Sequence, residues 1–241
     1  MAVVTLNNPP VNGLGHATRT EVVGGLDRAI DDAGCDAIVI TGAGGRFSGG
    51  ADIREFHTPK ATAEPTLHTL IRSIEDCPKP VIAAIDGICM GGGLELALGC
   101  HYRVAGAKAM VALPEVKLGL LPGAGGTQRL PRAVGVETAL NMIVTGTSVT
   151  AATLKDTLLL DAVIEGNVLD AALTFARNVV ADGRARRRLR DIAIDYPNAE
   201  AFFQFARSAI AATSKHFPAP RMAALRFEWP RWSGPGAGPL R

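Results

Sequence analysis

The chain has 241 residues, 47% hydrophobic and 20% charged, with a formal net charge of +2. That length accommodates one sizeable α/β domain or two small ones with a full hydrophobic core, and its mostly dispersed charges offer no reason to expect a nucleic-acid partner. Cys35, Cys77, Cys89 and Cys100 stand singly, with no Cys-x-x-Cys and no histidine at zinc-ligand spacing, so no metal is expected and the cysteines read as reduced core thiols. The N-terminus shows no signal-peptide pattern and no apolar run has the length of a membrane span, so a cytoplasmic location without membrane contact is the expectation.

Ala2-Val3-Val4-Thr5-Leu6 reads as a strand that ends at Asn7-Asn8-Pro9-Pro10, where paired prolines stop ladder hydrogen bonding. Val22, Val23, Leu26, Ala29 and Ile30 recur at helical spacing, which predicts a helix over 18–32 closed by Gly34. Asp36-Ala37-Ile38-Val39-Ile40-Thr41 is short, β-branched and apolar on both faces, as a central parallel strand is. A glycine-rich loop follows over 42–53, placed before a predicted helix so that its main-chain N–H groups face an oxygen.

Helical patterns over 66–76 and 92–98 flank a third strand beginning at Pro80, and 102–105 and 110–113 read as further short strands. The alternation suggests one parallel-sheet α/β core to about residue 165, with helical patterns again over 168–180 and 199–212. The basic run Arg184-Ala185-Arg186-Arg187-Arg188-Leu189-Arg190 is read as a solvated helix face or an interdomain contact rather than an anion site. Proline and glycine interrupt 229–239 throughout, and a mobile tail is expected there.

The chemistry centres on two glutamates. Glu95 closes Met90-Gly91-Gly92-Gly93-Leu94-Glu95, and Glu115 sits in Leu113-Pro114-Glu115-Val116 ahead of Gly123-Ala124-Gly125-Gly126. Carboxylates in apolar sequence are costly unless paired, hydrogen-bonded or neutralised, so their place beside glycine turns suggests acid/base work. The glycine clusters at 42, 91 and 123 match neither the mononucleotide nor the dinucleotide fingerprint, and no Gly-x-Ser-x-Gly elbow exists. Two strand-to-helix junctions, carrying Ala51 and Gly92, can aim N–H groups at one carbonyl oxygen. Spacing alone leaves open that the glycines are ordinary turns and the glutamates caps or surface residues.

Taken together, Asn8-Pro9-Pro10-Val11-Asn12, Phe47-Ser48-Gly49-Gly50-Ala51-Asp52-Ile53, Lys79-Pro80-Val81-Ile82-Ala83-Ala84-Ile85-Asp86-Gly87, Gly91-Gly92-Gly93-Leu94-Glu95 and Leu113-Pro114-Glu115 resemble the crotonase, or enoyl-CoA hydratase/isomerase, superfamily. Gly119-Leu120-Leu121-Pro122-Gly123-Ala124-Gly125-Gly126-Thr127-Gln128-Arg129 continues the resemblance. It implies an α/β spiral of ββα units with a helical C-terminal region: a core over 1–180, lid or oligomerisation helices over 181–228, and the tail over 229–241. It further implies Glu95 and Glu115 as catalytic residues, Ala51 and Gly92 as the oxyanion hole, and Gly50, Asp52, Ile53 and Arg54 as substrate-binding positions. Arg129 is assigned to helix packing and to balancing the charge of the glycine turn.

Retention of both glutamates favours hydration of a trans-2-enoyl-CoA in fatty-acid β-oxidation. The alternatives are Δ3,Δ2-enoyl-CoA isomerisation on the same fold or a non-catalytic acyl-CoA-binding member. No cofactor is expected beyond the CoA of the substrate. A homotrimer or hexamer follows from the resemblance, with a monomer as the other form. Leu113 and Leu160-Asp161-Ala162-Val163 are similar to the hydratase half of bifunctional hydratase/3-hydroxyacyl-CoA dehydrogenases, and the chain departs from that pattern in having no room for a dehydrogenase domain.

Overall fold

The computed structural model describes residues 1–213 and 218–228; the expected tail over 229–241 lies outside them. The chain opens with β1 (Ala2–Leu6) and α1 (His16–Asp31), followed by β2 (Ile38–Gly42), α2 (Leu67–Glu75), β3 (Val81–Ile85), β4 (Ile88–Met90) and α3 (Gly92–Gly99). It continues through β5 (Tyr102–Gly106), β6 (Met110–Ala112), α4 (Gly126–Val134), α5 (Val136–Thr145), β7 (Val149–Thr150) and β8 (Ala162–Ile164). The last helices are α6 (Val168–Ala181), α7 (Ala199–Thr213) and α8 (Pro218–Glu228).

Two sheets form, one in the order β1-β2-β3-β5-β8 and one in the order β4-β6-β7. Every pair of the larger sheet is parallel. Successive strands alternate between sheets: β3 joins the large one, β4 the small one, and α3 follows; β5, β6 and α4 repeat the scheme. After β2 the second strand shrinks to one parallel bridge, Ser48 with Cys89. This repeated ββα step is the expected crotonase-like spiral.

The period-2 geometry of the strands divides their side chains between two cores. Val39, Ile82, Ala84 and Val104 face Val168, Ala172, Ala176 and Val179 of α6. Ile38, Ile40, Val81, Ala83 and Ile85 point the other way, into the larger core with residues of α1, α2 and α3. All five residues of β3 are buried, which explains their unbroken apolar sequence.

Three sequence expectations need correction. The loop over 42–53 leads into a single 3₁₀ turn, Ile53–Glu55, rather than a helix, with Asp52 capping it by accepting the Arg54 N–H. The basic run forms no helix face: Gly183, at φ 61°, follows α6, and the run that comes after it forms a strap with one 3₁₀ turn, Leu189–Asp191. Its arginines bond across the fold, Arg187 to Asp161, Arg188 to Asp76 and Arg190 to Glu75, and these partners are distant in sequence. Among the described residues beyond α6, the α-helices of region 181–228 are α7 and α8 alone. There α8 packs on α5 and touches the 3₁₀ turn Glu115–Leu118.

Candidate active site

Ala51 and Gly92 lie on loops pressed together backbone to backbone. A Cβ at Gly50, whose φ is 103°, would stand 2.9 Å from the Met90 carbonyl oxygen and 3.1 Å from the Gly92 nitrogen. Only glycine permits that approach. A Cβ at Gly92 would in turn lie 3.2 Å from the Ala51 nitrogen.

The direction of both N–H groups follows from peptide planarity, because the C=O and N–H of a trans peptide point oppositely. Gly50 O accepts the Leu14 N–H at 2.8 Å, which turns the Ala51 N–H the other way. Gly91 O accepts the Glu95 N–H at 3.0 Å, and the Gly92 N–H faces away from α3. Neither the Ala51 nor the Gly92 N–H donates to a protein acceptor among the described residues. Ser48 Oγ holds the first loop by accepting the Gly50 N–H at 3.1 Å and donating to Asn12 O at 2.7 Å. Asn12, at φ 55°, donates through Nδ2 to Ala43 O at 2.9 Å and Arg46 O at 2.8 Å.

Glu95 occupies the first turn of α3 and is 2% exposed. Its Oε1 accepts the N–H groups of Ala124 at 2.7 Å and Gly126 at 2.8 Å. Burial raises its pKa, and those two donors together with the Arg129 charge pull the other way. The Gly91 N–H, bonded to Ala112 O at 2.9 Å, ties the start of α3 to the end of β6, from which Glu115 follows. Glu115 begins its 3₁₀ turn with Oε2 buried and without a hydrogen-bond partner among the described residues. Burial first, and the facing Glu95 charge second, push its pKa up to about 8. The two carboxyls are therefore inequivalent: two N–H donors and the Arg129 charge oppose the effect of burial on Glu95, whereas burial and the Glu95 charge both raise the pKa of Glu115.

A cleft of about 210 Å³ beside the Ala51 loop brings Asp52, Ile53 and Arg54 together with Asn8 and Pro10. Arg54 grips Asp52 through Nε at 2.8 Å and Nη2 at 2.7 Å, while Ile53 is 65% exposed. Gly50 does not line this cleft and packs against the Gly92 loop. A larger cleft of about 1040 Å³ involves Asp36, Pro80 and His101, at the N-terminal ends of β2, β3 and β5. The glutamate site instead follows the C-terminal ends of β4 and β6 of the smaller sheet.

Sequence reasoning assigned no role to Ser48, Asn12 or Leu67. Leu67 Cδ2 would lie 2.8 Å from a Cβ at Gly92, so this side chain covers the Gly92 loop. The signal for the first two was their place in the quoted motifs. Leu67 carried none, because its contact is long-range.

Comparison with known proteins matches residues 1–194 to the family model described as enoyl-CoA hydratase/isomerase. The chain is 49% identical over 189 residues to a peroxisomal bifunctional enzyme of Danio rerio, a match covering 78% of this chain and 26% of that protein. It is 47% identical over 151 residues to a probable enoyl-CoA hydratase of Bacillus subtilis (strain 168), covering 61% of this chain and 58% of the relative. The chain thus spans about a quarter of the first of these relatives and under two thirds of the second. The crystal structure of an enoyl-CoA hydratase from Polaromonas sp. JS666 superposes with a TM-score of 0.70 at 29% identity, covering 93% of this chain and 84% of that one. With more than half of its length matched by the family model, the chain belongs to the enoyl-CoA hydratase/isomerase family.

Proposed function

We propose that this chain is an enoyl-CoA hydratase, adding water across the double bond of a trans-2-enoyl-CoA to give the 3-hydroxyacyl-CoA, as in fatty-acid β-oxidation. The observation that carries the reading is the unequal pair, Glu95 held by two N–H donors and Glu115 with its buried Oε2 unpartnered among the described residues, beside two N–H groups that donate to none of those residues. An isomerisation that only moves a proton between carbons needs one carboxylate, and both are present here.

In the proposed reaction the thioester oxygen accepts the N–H groups of Ala51 and Gly92. Ionised Glu95 takes a proton from water as its oxygen bonds to Cβ, and protonated Glu115 delivers its proton to Cα. The C=C π bond is lost, one O–H bond of water breaks, and C–O and C–H bonds form. Proton transfer from Glu95 back to Glu115 through solvent restores the starting state. Charge developing on the thioester oxygen is what the N–H pair stabilises, and one such donor is worth about 3 to 4 kcal/mol. That electron sink requires no cofactor beyond the CoA of the substrate.

We place Gly50, Asp52, Ile53 and Arg54 along the CoA moiety; the last three line the cleft beside Ala51, and Gly50 precedes them against the Gly92 loop. The contact of α8 with the Glu115 turn supports a lid role for the C-terminal helices. A homotrimer or hexamer is the proposed assembly, to be checked by mass in solution. Among the described residues no helix is long and apolar enough to cross a membrane. The cytoplasm is the proposed compartment, with the peroxisome named for one relative as the other setting.

The test is the absorbance of crotonyl-CoA. Loss of the conjugated enoyl signal with formation of 3-hydroxybutyryl-CoA is expected. Binding of the thioester without turnover would leave an acyl-CoA-binding protein instead.

A further inference from the structure

The Glu95 cradle is itself held by a buried ion pair from elsewhere in the fold. Glu75 of α2 and Arg129 of α4 have side chains only 1% and 6% exposed. Arg129 donates through Nε to Glu75 Oε1 at 2.8 Å and through Nη2 to Glu75 Oε2 at 2.9 Å, a bidentate fork. Its remaining nitrogen, Nη1, donates to Ala124 O at 2.9 Å. The same residue, Ala124, gives its N–H to Glu95 Oε1. Ala124 is therefore gripped at both its amide and its carbonyl.

Gly125 shows how closely the guanidinium sits on this turn. At φ 98°, a Cβ there would fall 2.0 Å from Arg129 Nη1. Arg190, the last arginine of the basic strap, adds a bond from Nη1 to Glu75 Oε2 at 3.1 Å. A buried ion pair is weak as a source of stability, because apolar residues of similar volume often serve as well. Here the geometry gives the charges another task.

We infer that Glu75 and Arg129 are positioning residues: Glu75 fixes the guanidinium, and the guanidinium fixes the turn whose two N–H groups hold the Glu95 carboxylate. This rests on Glu95 being the general base of the proposed hydration. Arg129 touches no reacting atom and acts through Ala124. The charged or titratable groups acting on Glu95 are Arg129 from α4, Glu115 from its 3₁₀ turn and His68 from α2.

The test uses the full chain carrying Arg129→Met, Arg129→Lys or Glu75→Gln. Four quantities are read: thermal melting, kcat and KM with crotonyl-CoA, and the Glu95 titration midpoint by 13C NMR of glutamate-labelled protein. The Glu95 resonance is assigned by its loss in Glu95→Gln. Expected is a fall in kcat on the order of 10- to 100-fold with KM within roughly two-fold. The Glu95 midpoint moves upward in Arg129→Met. Lysine does not restore kcat, because one ammonium cannot reproduce the fork to Glu75 together with the bond to Ala124.

A folded Arg129→Met protein with unchanged kcat and unchanged midpoint overturns the inference, as does full restoration by lysine. If methionine prevents folding, Arg129→Lys and Glu75→Gln decide by the same readings. If the unsubstituted chain hydrates no enoyl-CoA, the proposed function fails, while the Glu95 midpoint still reports whether Arg129 sets its environment.

Discussion

Gly126 donates its N–H to Glu95 Oε1 at 2.8 Å, and a Cβ on Gly126 would stand 3.0 Å from that same oxygen and 3.1 Å from Glu95 Cγ. It would also lie 2.9 Å from Leu113 Cδ1. The missing side chain is thus what lets the carboxylate sit on the turn. Gly126→Ala is expected to displace Glu95 and lower kcat on the order of 100-fold, since a shift of about 1 Å at a reacting group has that effect. Gly24→Ala in α1 is the control: its Cβ would meet only Arg28 Nη1 at 3.5 Å. Steady-state crotonyl-CoA kinetics on both variants check the contrast, and equal kcat values would detach the turn from catalysis.

Glu95→Gln and Glu115→Gln are each expected to reduce kcat by about 100-fold or more, the usual scale for a positioned acid or base. Glu95→Gln keeps an oxygen to accept the N–H groups of Ala124 and Gly126, so the fold is expected to survive while the base is lost. Near-normal turnover by either folded variant would remove that residue from the mechanism.

The two carboxyls also set the pH dependence. Glu115 must carry its proton, so kcat/KM is expected to fall as pH rises through about 8. Glu95 must be ionised, and because burial raises its pKa, the acid limb lies above the ordinary carboxylate range. Glu115→Gln removes the alkaline limb from whatever activity remains. A profile flat through pH 8 in the unsubstituted protein would contradict a protonated Glu115 as the acid.

How far the sequence reveals this site depends on the range of the interaction. The Ala51 and Gly92 junctions are local, and the glycines that allow them stand beside them in the chain. Their aim is not local: it depends on Leu14 holding Gly50 O and on Ser48 reaching Asn12. The inequivalence of the glutamates is invisible in either motif, because the donors to Glu95 come from residues 124 and 126. The basic strap was misread because its acidic partners Glu75, Asp76 and Asp161 are far from it in sequence. Glu75 did leave a signal: it is buried one turn after Ile71 on the inward face of α2, an unusual place for a carboxylate.

Ser48 gives a test of the first oxyanion loop apart from the glutamates. Ser48→Ala removes the acceptor of the Gly50 N–H and the donor to Asn12 O. The Ala51 N–H would remain, less firmly aimed, so a fall in kcat on the order of 10-fold is expected, smaller than for loss of a donor outright. KM is expected to change little, since the oxyanion contact strengthens only in the transition state. An effect confined to KM would mean that the loop binds substrate without stabilising the developing charge.

Glu115 has a cost to the fold that can be measured separately from turnover. Its pKa rises from an ordinary 4.5 to about 8 in the folded chain. Below the ordinary value both folded and unfolded chains hold the proton, and the group does not favour either. As pH rises from there, the unfolded chain ionises Glu115 and the folded chain does not, so stability falls until about 8, where the folded group ionises too. At neutral pH the loss is on the order of 3 kcal/mol. Glu115→Gln abolishes this titration, and the inactive variant is expected to melt higher than the unsubstituted protein at pH 7 while converging with it at acid pH. Parallel melting curves at both pH values would mean that Glu115 is not held protonated by its burial.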